Sequence, residues 1–217
     1  MFKDEINHLS DFFGKDIYQV ELNDASGEFS SKIGKVFEDE PLYETWSTTF
    51  YHWYLFDRAI EGLAVSPVYL YGRLFEDQLD ENQKHMHKAF MNSCLSLFQI
   101  ESLGSVVVAK DLIKDTRVSI SHYETPSFLQ KGHLVILRVF SNGQTWEKME
   151  EEWYLPDNAT SAISKQVHMT KNKKNFVFEL IRRKLFAEKF SHVAMEEIFN
   201  WSPGSELEKK FRLSESL

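Results

Sequence analysis

Residues 95–155 contain the runs LSLFQIESL (95–103), SVVVAKDLI (105–113), HLVILRVF (133–140) and TWEKMEEEWYL (145–155), which decide the fold. These runs are β-rich and are separated by polar turn segments, the pattern of consecutive short strands. Helical patterns precede and follow them. The sequence therefore predicts an α+β protein: a small antiparallel β-sheet or partly open barrel flanked by N-terminal and C-terminal helices.

Two turns organise the predicted strands. The polar segment 110–116 predicts a hairpin, and residues 122–132 predict a loop. Asn142 and Gly143 both accept the positive φ angles of a type I′ turn, so they predict a second hairpin between HLVILRVF and TWEKMEEEWYL.

Helical periodicity and helix-start signals define the flanks. Apolar residues recur at intervals of three and four from Phe2 to Phe13, and Ser66-Pro67 has the order of an N-cap followed by a first-turn proline. Asp80 and Gln83 form a capping-box pair. We divide the chain into an N-terminal helical region (1–94), a β-sheet or barrel (95–156), C-terminal helices packed on the body (157–202) and a tail (203–217).

Composition indicates a compact, aromatic-rich body. The 217 residues are 42% hydrophobic and include 18 Phe, 8 Tyr and 5 Trp. Cys94 is the single cysteine, which excludes an intramolecular disulfide and a cysteine-based zinc site. The first residues lack the apolar core of a secretory signal, and no apolar stretch is long enough to span a membrane. We expect a soluble, cytoplasmic protein without membrane association.

Charge is unevenly distributed. The net charge is −8, yet residues 165–190 carry 8 Lys or Arg against 2 Asp or Glu. This basic segment supplies our candidate binding residues: Lys171, Lys173, Lys174, Arg182, Arg183 and Lys184. Arg182 and Arg183 are expected to point away from the apolar stripe of their helix, where they would contact phosphates or an acidic partner. The simpler interpretation, which we favour, is a solvated helix face.

Searches for catalytic and metal motifs are negative. The chain has no phosphate-binding glycine loop, no H-E-x-x-H and no G-x-S-x-G. His85 and His87 lie about 200° apart on a helix, which predicts exposed histidines rather than a metal pair. His52 lies among aromatics, as a hydrogen-bonded core or boundary histidine does. We assign no catalytic residue, no metal ligand and no cofactor.

Other polar residues have structural interpretations. Glu150, Glu151 and Glu152 predict a solvated strand edge. Asp57-Arg58 predicts a structural salt bridge or helix cap, and Cys94 a buried, unreactive thiol.

The succession FYHWYLFDRAI, SPVYLYGRLF, CLSLFQIESL, VVVAKDLIKDTRVSIS and SFLQKGHLVILRV resembles a module of bacterial SEC-C motif-containing proteins, over about residues 50–140. The residues that match the module are Asp57, Leu97, Phe98, Asp111, Leu112 and Gly132, whereas Gln99 and His133 depart from it. The group is largely uncharacterised, and its cysteine-rich, zinc-associated terminal motif is missing here. The resemblance implies a scaffold and no chemistry.

These observations predict a non-enzymatic binding or interaction protein that recognises a protein partner or a small ligand near the barrel and the basic helix. The first alternative is nucleic-acid binding through residues 165–190, and the second is an enzyme with an unrecognised active site. Ligand or partner identity, oligomeric state and pathway do not follow from the sequence.

Overall fold

The computed structural model describes residues 2–121, 123–200 and 204–214, with backbone alone for 211–214. In these ranges the N-terminal helices are α1 (Phe2–Phe13), α2 (Gln19–Ile33), α3 (Tyr43–Phe56), α4 (Pro67–Leu74) and α5 (Glu81–Met91). The strands are β1 (Cys94–Ser102), β2 (Val107–Asp111), β3 (Thr116–Ile120), β4 (Leu134–Ser141) and β5 (Trp146–Tyr154). The C-terminal helices are α6 (Thr160–Met169), α7 (Lys173–Lys189), α8 (Met195–Asn200) and α9 (Glu206–Ser214).

The five strands form a closed barrel in the order β1-β2-β3-β5-β4, with β4 also paired to β1. The pairings are antiparallel except for β3 and β5, which meet in parallel at Ile120 and Trp146. The predicted α+β class with a flanked β-barrel is confirmed. The barrel is closed, where the sequence predicted a sheet or a partly open barrel, and one pairing is parallel, where it predicted antiparallel strands. Which strands pair across the barrel is a long-range property that local patterns do not contain.

Strand β4 separates two hydrophobic cores. Val135, Leu137 and Val139 face the barrel interior, whereas alternate residues such as Leu134 and Ile136 belong to a larger core shared with the helices. Successive side chains of a strand point to opposite faces, so a strand buried on both sides reads as a continuous apolar run. Burial on both faces explains why HLVILRVF (133–140) is an almost continuous apolar run. The larger core includes residues from both the N-terminal and the C-terminal helices.

Helix starts follow the local signals. The side chain of Asp80 accepts a 2.8 Å hydrogen bond from the backbone N–H of Gln83, and Gln83 Oε1 accepts one of 3.1 Å from the backbone of Asp80, so the predicted capping box is present. Pro67 is the first residue of α4, where its missing N–H leaves no helical bond unmade.

One predicted turn is wrong in type. The second hairpin exists, but residues 142–145 connect its strands, and among the described residues only glycines, Ala64 and Asp115 have a positive φ. Gly143 has φ +93°, whereas Asn142 does not adopt the left-handed conformation of a type I′ turn. Instead, Oδ1 of Asn142 accepts hydrogen bonds from the backbone N–H groups of Gln144 (3.0 Å) and Thr145 (2.9 Å).

The predicted tail lies partly outside the described residues. Its described part contains α9, and Glu208 on this helix is buried, with Oε1 4.0 Å from Nη1 of Arg182. None of the helices in the described ranges combines the length and apolar character needed to cross a bilayer.

Candidate functional site

A cleft of 250 Å³ lies between the barrel and α7. Four segments converge on it: the end of α3 at Asp57, the start of β1 at residues 93–96, the β2–β3 turn and the first half of α7. These segments are far apart in sequence, so only the folded chain assembles the cleft.

Hydrogen bonds hold the β2–β3 turn in place. Oδ1 of Asp111 accepts from the backbone N–H groups of Ile113 (2.8 Å) and Lys114 (3.0 Å) and from Oγ of Ser96 (2.7 Å). Nζ of Lys173 donates a 3.0 Å bond to the carbonyl of Ile113, which ties the turn to α7. These bonds fix the turn that forms one wall of the cleft.

Two lysines bring positive charge to the cleft. Lys114 is exposed, and the side chain of Lys174 is 68% exposed, with Nζ 3.7 Å from Oδ1 of Asp57. Asp57 is also ion-paired with Arg138, a cation that it shares with Glu151. Cys94 is half-buried and contributes to the wall, which corrects the prediction of a buried thiol.

The predicted binding residues of the basic segment lie in different environments. Lys171 is exposed, Lys173 binds the Ile113 carbonyl, and Lys174 lines the cleft. Lys184 is half-buried, and its Nζ lies 3.3 Å from Glu188.

Arg182 and Arg183 are buried, so the prediction that their helix face is solvated is wrong. Nη1 of Arg183 donates to the carbonyl of Phe199 (2.6 Å) and to Oε1 of Gln166 (2.9 Å), so Arg183 links α7 to α6 and α8. Burial lowers its pKa, and Glu179 offsets this only in part. Helices α2 and α8 pack on α7, so the face that periodicity marks as polar is covered.

A chain of buried ionic groups lies behind the cleft. Arg138 Nε donates a 3.0 Å bond to Oε1 of Glu151, and Nη2 donates to Asp57. His52 Nδ1 lies 2.5 Å from Oε2 of Glu151. Burial tends to raise the pKa of Glu151, but His52 and Arg138 outweigh burial and hold it below the ordinary glutamate value.

These contacts settle several predictions. His52 is the hydrogen-bonded core histidine that we expected. Glu151 is not at a solvated strand edge: β5 has a pairing partner on each side, and the Glu151 side chain is 1% exposed because it faces α3, where it contacts His52. Asp57 and Arg58 do form salt bridges, but with Arg138 for the former and with Glu21 and Glu28 for the latter.

The predicted exposure of the histidine pair holds for one member. His85 is exposed, whereas His87 is 2% exposed, and its Nε2 lies 2.8 Å from Oε1 of the buried Glu5. Helix α1 covers the α5 face that carries His87, a contact that periodicity within α5 does not show. Across the described ranges, no group of three or more His, Cys, Asp or Glu side chains is placed to hold a metal ion.

Residues 27–183 match DUF7986, a family of unknown function. The chain belongs to this family. The DUF7986 match extends from α2 into α7, so it includes the whole barrel, every residue that lines the cleft and the chain from His52 to Glu151. No curated protein and no solved structure gives a significant match.

The sequence analysis did not single out Lys114 or Arg138. Lys114 lies in a polar turn, and nothing in its local sequence distinguishes it from an ordinary turn lysine. Arg138, by contrast, carries a signal: it is the charged residue inside HLVILRVF and shares the strand face of Leu134 and Ile136. A charge at such a position needs a buried partner of opposite sign.

Proposed function

We propose that the protein is a non-enzymatic binding protein that recognises a small carboxylate-bearing ligand in the cleft between the barrel and α7. The observation that carries this proposal is the pairing of two cations, Lys114 and Lys174, with the apolar wall of Val177 and Phe178. The proposal assigns no catalytic step to the cleft.

The chemistry of the wall supports an acid with an apolar body. Charge-assisted hydrogen bonds from lysine to a carboxylate are stronger than neutral ones. Burial of the rest of the ligand against the apolar wall is favourable if that part is apolar. A concave cleft of 250 Å³ suits a small acid better than a broad protein surface. Recognition of a protein partner stays a prediction. The resemblance to SEC-C motif-containing proteins also stays a prediction.

Nucleic-acid binding is a weaker alternative, because Arg182 and Arg183 are engaged inside the fold. Each phosphate contact to a single strand contributes about −0.7 to the slope of log affinity against log salt. If the contacts come from Lys114, Lys171 and Lys174 alone, we expect a slope no steeper than about −2 for labelled single-stranded RNA. A steeper slope would favour the nucleic-acid alternative.

The proposal is tested by titrating the nitrogen-15-labelled protein with acetate, hexanoate and benzoate, followed by amide NMR. Benzamide serves as the uncharged counterpart of benzoate. We expect hexanoate and benzoate to shift the amide signals of residues 93–96 and 113–114, and benzamide to bind more weakly.

Two matched variants locate the interaction. Lys174→Gln should weaken benzoate binding about tenfold, the cost of one charge-assisted hydrogen bond. Lys171→Gln, in the same segment but outside the cleft wall, should leave the affinity unchanged. Equal effects of the two variants, or no shift with any of the acids, would overturn the proposal.

A further inference from the structure

A second cavity, of 310 Å³, lies between α4 and α5. Its wall includes Gly72 on α4 and the buried His87 on α5. Among the described residues, it shares no lining residue with the cleft beside α7. The cavity is therefore separate from the site of the carboxylate proposal.

Contacts with α1 and α4 fix the orientation of the His87 ring. Nε2 lies 2.8 Å from Oε1 of Glu5 on α1, and the ring stacks on Tyr71 of α4 at a centroid distance of 5.3 Å and an angle of 10°. The hydroxyl of Tyr71 is in turn hydrogen-bonded to Nε2 of His8, at 2.8 Å. A half-turn of the imidazole would break the bond to Glu5, so Nδ1 keeps its direction.

Nδ1 of His87 is buried and has no hydrogen-bond partner in the part of the chain that the structure describes. Buried polar atoms are nearly always bonded to protein or water, and each exception calls for an explanation. Gly72 leaves a methyl-sized space beside this atom, because a Cβ on the glycine would lie 3.8 Å from Nδ1, an ordinary contact distance. A ligand atom that enters this space from the cavity would supply the missing partner.

A hydroxyl group suits Nδ1 in any protonation state of His87. Nδ1 accepts a hydrogen bond when it carries no hydrogen, and it donates one when it does. A hydroxyl group both donates and accepts, whereas a carbonyl or an ether oxygen only accepts. The choice of a hydroxyl therefore does not depend on whether the ring is neutral or charged.

The charged side chains of the cavity wall are already in ion pairs. The pairs are Arg73 with Glu76 (3.4 Å), Lys84 with Glu81 (3.0 Å) and His87 with Glu5 (2.8 Å). An ionic ligand would compete with these pairs, whereas a neutral ligand leaves them intact. This distinguishes the cavity from the cleft at Lys114 and Lys174.

The apolar part of the wall comes from Tyr69, Leu79 and Met91. Leu79 is buried, whereas Tyr69 and Met91 are exposed, so a ligand that covers them removes apolar surface from water. The thioether of Met91 also makes favourable contacts with an aromatic ring. These residues favour an aromatic body for the ligand.

We propose that this cavity binds a small neutral molecule with an aromatic body and a hydroxyl group, which forms a hydrogen bond with Nδ1 of His87. Because the two sites are separate, failure of the carboxylate proposal would leave this one standing.

The test compares phenol with toluene, which has nearly the same size but no polar group. Titration of the full-length protein with phenol, followed by nitrogen-15 NMR of the imidazoles, should shift the Nδ1 signal of His87 and saturate. The exposed His85 on the same helix is the internal control and should not change. Toluene should bind about tenfold more weakly, because Nδ1 stays unpaired.

Two matched variants locate the site. Gly72→Ala fills the space beside Nδ1 and should weaken phenol binding about tenfold or more. Alanine favours a helix more than glycine does, so this variant should keep the circular dichroism spectrum and the Tm of the wild type or exceed that Tm. The control is Gly27→Ala on α2, where the added Cβ meets no described atom within 4 Å, and phenol binding should be unchanged.

Four results would each overturn the proposal. They are equal affinities for phenol and toluene, full phenol affinity in Gly72→Ala, an equal loss of affinity in Gly27→Ala, and no shift of the His87 signal.

Discussion

Arg138 on β4 donates a 3.0 Å hydrogen bond from Nε to Oε1 of Glu151 on β5, and both side chains are completely enclosed. The same guanidinium also contacts Asp57 and lies 5.5 Å from the ring of Phe56. Two carboxylates thus flank one cation, which compensates much of the cost of removing the three charges from water. The arrangement joins the end of α3 to two strands of the barrel.

Replacing Arg138 with Met should destabilise the protein strongly. The substitution leaves Glu151 and Asp57 without their cation in the interior, and breaking a buried pair on one side costs about 3–5 kcal/mol. Urea unfolding measures the loss. The control is Arg117→Met, which removes a surface ion pair with Glu101 and should have little effect. Similar midpoints for the two variants would contradict a structural role for Arg138.

Stability should fall in acid partly through Glu151. Its folded-state pKa lies below the ordinary value, so its contribution is complete above the unfolded-state pKa of about 4.3 and is lost as pH falls through the folded-state pKa. Glu151→Gln has no such titration. The difference in unfolding free energy between wild type and this variant should therefore shrink as pH falls below about 4. A difference that stays constant from neutral pH to pH 3 would contradict the contribution of Glu151 to acid sensitivity.

Tyr54 should give the opposite pH dependence. Its hydroxyl is buried and has no hydrogen-bond partner among the residues that the structure describes, and burial, followed by the charge of Glu21, raises its pKa to about 12. A raised pKa favours the neutral phenol in the folded state, so stability is complete below pH 10 and declines between about pH 10 and 12.

Tyr54→Phe removes that decline and also an unpaired hydroxyl. At neutral pH we expect the variant to be as stable as wild type or more so, since an unsatisfied buried group costs about 1–3 kcal/mol. Urea unfolding at neutral and alkaline pH measures both effects. A marked loss of stability at neutral pH would show that the hydroxyl contributes a favourable contact.

Arg183 should behave as a structural residue. Arg183→Met removes the arginine donor from Oε1 of Gln166 and one of two donors to the carbonyl of Phe199, which also accepts from Nε2 of Gln166, and we expect a loss of about 1–3 kcal/mol in unfolding free energy. Lys171→Met, on the exposed part of the same basic segment, is the control and should change stability little. If Arg183→Met left stability unchanged and weakened RNA binding, the phosphate-contact hypothesis would regain support.

Local structure was largely predictable. Three predicted features depend on residues within a few positions of one another: the capping box at Asp80, the helix start at Pro67 and the β2–β3 hairpin. The interactions that form them therefore lie within short segments. The type of the turn at Asn142 was predicted wrongly. An asparagine can accept backbone hydrogen bonds through Oδ1 while its own φ stays negative.

The candidate site was predictable only in part. Lys174 was named from the charge of its segment, whereas Lys114 joins it through a tertiary contact between the β2–β3 turn and α7. Arg182 and Arg183 were misassigned because helical periodicity reports one apolar stripe, and α7 is covered by more than one neighbour.

By itself, the sequence determined that short strands lie between two helical regions, because alternation, turn residues and caps are local properties of the chain. Only the tertiary structure decided that β3 meets β5 to close the barrel, that Glu151 and Arg138 share the interior, and that two lysines from different segments face one cleft. These relationships depend on contacts between residues distant in sequence, and the free energy of such contacts comes from burial and charge pairing that no single segment contains.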